Sequence, residues 1–111
     1  MVCKFHEVLD FVRQFNLLND LDDEAVKENF DIFPHACSFD KNLHAYEVNC
    51  DDPNVFEKVL DKTLEILDDT FEHEYTKDAL REIAATFCDV FQAAGAPKRP
   101  VPFIIVLLSR L

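Results

Sequence analysis

Apolar residues recur along most of this chain at helical spacing, and the elements follow from that rhythm. Phe5, Val8, Leu9, Val12 and Phe15 make one stripe, with Lys4, Glu7, Asp10, Arg13 and Gln14 off it, which predicts an amphipathic helix over 3–17. Leu21 and Asp22 read as a staple residue and a cap for a short helix over 23–32, with Asp23 and Glu24 in its first turn to suit the helix dipole. Pro34 stops that helix and pushes Phe33 toward an extended conformation. Residues 34–50 carry the weakest pattern. Asp40-Lys41-Asn42 reads as a turn, and 43–49 alternates imperfectly, as a short strand, a loop or a helical turn would.

From Asp51 to Tyr75 the pattern is strongest and predicts one long helix. Asp51 or Asp52 caps it and Pro53 suits its first position. Phe56, Val59, Leu60, Thr63, Leu64, Leu67 and Phe71 form its inner stripe. A second long helix follows, capped by Thr76, with Leu80, Ile83, Ala84, Phe87, Cys88 and Phe91 on its core face and Gly95 at its end. After a stiff connector with Pro97, Pro100 and Pro102, the run Phe103–Leu108 is apolar on every side and must be buried. Its β-branched residues suit a strand paired as 43–49 with 103–109, but a helix is favoured because the only partner strand is weak. The expected fold is mainly α: a compact bundle of four to five helices in a single acidic domain, 1–111, with at most a minor β-hairpin or two-strand pairing.

Charge changes the picture on the long helix. The chain has a net charge of −11, and 51–75 alone holds nine acids and two Lys. Glu57, Asp61, Glu65, Asp68 and Glu72 fall within an arc of roughly 80° at 100° per residue and form one column. Like charges at this spacing weaken a helix by about 0.2–0.5 kcal/mol per pair. A solvated outer face explains the column; so does a surface for a cationic partner. Nucleic acid and anionic membrane are disfavoured as direct partners, because both need clustered Lys and Arg. Six apolar residues at 103–108 fall far short of the ~20 a spanning helix needs.

The chemistry-bearing residues are sparse. One Gly, Gly95, leaves no phosphate loop or dinucleotide fingerprint, and Ser38 and Ser109 lack a nucleophile-elbow context. Cys3, Cys37, Cys50 and Cys88 are scattered, as reduced thiols in a cytoplasmic or nuclear setting would be. Cys3 with His6, and His35 with Cys37, are fragments of zinc-ligand spacing that no second pair completes. Cys88 lies on a core face, with nothing to activate its thiol. Glu72, His73 and Glu74, with Asp68 and Asp69 one turn back, are dense enough to hold a divalent metal but lack a matching Glu-x-x-His on another helix. Phe30, Phe33 and Phe39 around Pro34 suit the core, or an interface if exposed.

These readings converge on a protein that binds rather than catalyses, without cofactor or metal. The expected function is to occupy a cationic, nucleic-acid-binding or nuclease surface of a basic protein through Glu57, Asp61, Glu65, Asp68 and Glu72, as an inhibitor or immunity-type protein does. Acids four residues apart sit about 6 Å apart along the axis, close to phosphate spacing. The alternative is a helical adaptor or oligomerisation domain that docks through its apolar C-terminal segment.

Overall fold

The computed structural model describes residues 2–111 and contains six helices: α1 Phe5–Gln14, α2 Asp23–Asp31, α3 Ala36–Leu43, α4 Pro53–Thr70, α5 Lys77–Ala94 and α6 Pro100–Ser109. Mainly α is therefore correct, and the count of four to five is one short. The extra element is α3. The turn expected at Asp40-Lys41-Asn42 is instead the last part of this helix, whose Ala36 and Leu43 are buried. No Ser, Thr, Asp or Asn announces its start. Instead His35 and His44 bracket it, both left-handed at φ 54°, a conformation that a non-Gly residue adopts only under local constraint.

The other boundaries carry the expected signals. Asp22 Oδ1 accepts from Ala25 N–H at 2.8 Å, Asp52 Oδ1 from Asn54 N–H at 3.0 Å, and Thr76 Oγ1 from Ala79 N–H at 3.1 Å. Each satisfies a donor that the first helical turn leaves unpaired. Gly95, at φ 69°, closes α5, and Ala96 N–H returns to Phe91 C=O at 2.9 Å.

The apolar tail is a helix, and it is the centre of the molecule. All residues from Pro100 to Leu108 are buried, and α6 packs against each of the other five helices. A ten-residue rod surrounded on all sides needs apolar side chains on all sides, which is why its sequence shows no stripe. The two-strand pairing of 43–49 with 103–109 does not form, and no strand exists among the described residues. Segment 44–49 does meet the later chain, but at the connector: Val48 N–H donates to Lys98 C=O at 2.7 Å and Lys98 N–H to Glu47 Oε1 at 2.9 Å. A helix satisfies its own backbone donors, so α6 offers a strand nothing to pair with.

The expectation of free thiols is overturned: Cys3 is bridged to Cys37 and Cys50 to Cys88. The first bridge ties the chain before α1 to the first turn of α3. The second ties the residue run before α4 to the middle of α5. Sequence separations of 34 and 38 hid both pairings from a reading by spacing. Opposite Cα–Cα distances of 4.8 and 6.6 Å show what the fold brings together.

Candidate functional site: the two ends of the acidic helix

Helix α4 holds four of the five predicted acids. It ends at Thr70, not at Tyr75, so Glu72 stands beyond it in the extended connector 71–76. Phe71, placed by its spacing on the inner stripe, is the C-cap, with φ −130° and ψ 154°, and is 50% exposed. No Gly or Pro marks this stop. The apolar period runs on through Phe71 after the hydrogen-bonded helix has ended.

The connector decides what happens to the acids. It folds back along α4, so α5 starts level with the middle of that helix. The register is read from cross-links: His73 meets Asp68, Lys77 meets Asp61 and Glu57, Arg81 meets Glu57, and Cys88 meets Cys50 just before α4. Six extended residues at about 3.3 Å each cover about 20 Å, and the nine residues from 70 back to 61 cover about 13 Å of helix. The offset is thus geometrically natural.

At the first end, α5 neutralises the column. Arg81 bonds Glu57 at 2.7 Å; Lys77 lies 2.8 Å from Asp61 and 3.4 Å from Glu57. The Lys77 ammonium is held above its ordinary range, first by the hydrogen bond to Asp61. The Arg81 guanidinium is raised likewise by Glu57 and then Asp78. Glu57 is two-thirds covered, with side-chain exposure of 34%. One turn on, Glu65 pairs with Lys62 of its own helix at 3.1 Å. Asp61 and Glu65 nonetheless keep outer faces, at 62% and 57% exposure. Exposed pairs of this kind are worth about 0–1 kcal/mol, so a cationic partner can displace them.

At the second end no Lys or Arg pairs with Asp68, Asp69, Glu72 or Glu74 among the described residues, and all four are exposed. Asp68 has one partner, His73 Nε2 at 2.6 Å, while His73 Nδ1 accepts from Tyr75 N–H at 3.0 Å. With Nδ1 accepting, Nε2 is the nitrogen that donates to Asp68. Asp68 and Asp69 also stand in the last turn of α4, which holds no basic residue. A helix C-terminus disfavours acids there by about 0.3–1 kcal/mol each. Stability does not explain their placement.

Beside these acids lies a cleft of about 210 Å³ lined by Leu67, Phe71, Glu72, His73, Tyr75, Leu108 and Leu111. Reading by sequence missed it, because it joins the C-cap of α4 to the end of α6, 40 residues later.

The metal and nucleophile candidates do not assemble. Cys3, Cys37 and Cys88 have their sulfurs in disulfides and cannot ligate or attack. Among the described residues no three of the His, Cys, Asp and Glu side chains converge on a common point, the cluster 68–74 included. Phe33 is buried, and Phe30 and Phe39 are partly buried against the core, so these rings are not an exposed anchor. No helix is long and apolar enough to cross a membrane among the described residues. Comparison with protein-family models, with curated proteins and with solved structures finds no match.

Proposed function

We propose that this protein is a small acidic binding module that occupies a cationic surface of a partner protein, and that its working charges lie toward the C-terminal end of α4. The observation that carries the reading is the group Asp68, Asp69, Glu72 and Glu74, exposed and without a Lys or Arg partner among the described residues. Asp61 and Glu65 extend this surface with charges held only in exposed pairs; Glu57 drops out of it, being engaged by α5. A nucleic-acid-binding or nuclease partner, blocked through its Lys and Arg, remains the reading with the best charge match. The adaptor reading loses its surface, because 100–108 is spent in the core. Leu108, itself buried, and the partly buried Leu111 line the cleft beside Phe71.

The cytoplasmic setting expected from scattered thiols loses its ground with the two bridges, and the redox state of the cysteines tests it. Disulfides persist in oxidising compartments and are rare in the cytosol. Protein taken from native cells with its thiols trapped shows four alkylated Cys if it acts there, and none if it works outside.

The binding test uses three immobilised baits: the natural chain, a triple reversal of Asp61, Glu65 and Asp68 to Lys, and a triple reversal of Asp69, Glu72 and Glu74 to Lys. A basic protein that elutes with salt from the first bait should be lost from the other two, most completely from the third. Equal retention on all three ends the charge-based reading.

A further inference from the structure

The cleft at the end of α4 has the size and lining of a receptor for one side chain. Its lining is Leu67, Leu108 and Leu111 with the rings of Phe71 and Tyr75, together with the polar Glu72 and His73. Cofactor-sized ligands fill about 300–1,000 Å³, so about 210 Å³ suits a single large apolar group. Among the described residues Phe71 is one of three large apolar residues left exposed, with Tyr46 and Val90, and it is the one that lines this cleft. Tyr46 has a cation of its own, with the Arg99 guanidinium 4.2 Å from the ring centroid. Interfaces concentrate their energy where an aromatic anchor and a pocket meet inside a polar rim.

We infer that this cleft seats one large apolar side chain of a partner segment in which Lys or Arg flank that residue. The inference rests on the acidic-surface reading above and adds to it what the acids surround. The charge argument selects the occupant. Glu72 in the lining and Asp68 behind His73 carry negative charge that no Lys or Arg offsets among the described residues. His73 Nε2 and Nδ1 are both engaged, by Asp68 and by Tyr75 N–H, so the ring offers neither nitrogen to a partner. A basic segment is attracted there. A second copy of this chain, at −11, is repelled.

Two blocked pentapeptides test this on the full chain: Phe between two pairs of Lys, and the same peptide with Ser in place of Phe. The Phe peptide should bind at least about tenfold more tightly, the burial of one apolar side chain. Its addition should shift the NMR signals of Leu67, Phe71, Tyr75 and Leu111. Phe71→Ser should remove the tenfold preference, and Tyr46→Ser should keep it. Equal binding of the two peptides, a preference that survives Phe71→Ser, or shifts centred away from these residues overturns the cleft while leaving the acidic surface standing. Failure of both peptides to bind at low salt overturns the two readings together.

Discussion

The two ends of α4 carry similar charge and opposite fates. Near its start, Glu57 and Asp61 face the cations of α5, and the acids become part of how two helices hold together. Near its finish, Asp68 meets only His73 of the connector, Asp69 is exposed, and the acids become surface. Nothing in the local sequence of α4 makes this difference. It comes from six extended residues that carry the chain back before α5 begins, so that α5 overlaps one half of its neighbour and not the other. A charged column is thus a property of two helices and their offset, not of one.

The largest expected contrast between the ends is in stability. Leu60 is fully buried, in the half that α5 covers. Leu60→Ala should cost about 2–5 kcal/mol, the transfer term plus the cavity left behind. Phe71→Ala at the other end should cost under about 1 kcal/mol, since half of that ring is already in water. Urea unfolding of the two variants measures both. A Phe71→Ala cost equal to that of Leu60→Ala would make the exposed end a structural element and remove its claim to be free for a partner.

The second contrast concerns the Cys50–Cys88 bridge, which fastens the covered end alone. Replacing both residues by Ser should cost about 2–4 kcal/mol, as closure of a loop of this length implies. Amide exchange should then speed up in the first turns of α4 and around Cys88. The connector 71–76 should change little. Faster exchange spread evenly over α4 would mean that the two ends are one cooperative unit.

How much of this was legible beforehand differs between the ends as well. The covered end opens with Asp52 and Pro53, and α5 opens with Thr76; all three act as their chemistry dictates. The burial of α6 followed from the six-residue apolar run Phe103–Leu108, which leaves the helix no polar face to turn to water. At the exposed end the pattern predicts helix as far as Tyr75, yet the hydrogen-bonded helix stops at Thr70, because the apolar period continues through Phe71 without a Gly or Pro to mark the end. The pairing of Glu57 with Arg81 was beyond a reading of α4 alone. It depends on the path of residues 71–76, whose sequence holds no Gly or Pro to announce a reversal. Disulfides failed for the same reason: spacing along the chain carries no information about 4.8 Å between Cα atoms of Cys3 and Cys37.

A third, smaller contrast follows from the helix dipole. Asp69→Asn removes a negative charge from the C-terminal turn of α4 and should stabilise the fold by about 0.3–1 kcal/mol at low salt. The same change at Asp61 should not stabilise, because it leaves Lys77 with Glu57 alone, at 3.4 Å. Together with weaker partner binding by Asp69→Asn, a gain in stability marks an acid kept against the interest of the fold. Loss of stability from Asp69→Asn would place that acid among the structural ones.

The smallest effect separates the ends by pH. Lys77 has a folded pKa above its unfolded one, first because its ammonium bonds to Asp61 and then because Glu57 lies beside it. A cation with a raised folded pKa contributes stability that is complete below the unfolded value, near 10.5, and is lost as pH rises through the folded value. The covered end should therefore weaken only in strong alkali, and modestly, since Lys77 is partly exposed. Melting temperatures of the natural chain and of Lys77→Met, taken from pH 9 upward, isolate the effect. The gap between the two curves should narrow as pH rises past the ordinary lysine range and stay constant below it. A gap that is flat throughout would mean that Lys77 holds α5 to α4 by its methylene stem and not by its charge. The acids of the first end would then be as free for a partner as those of the second.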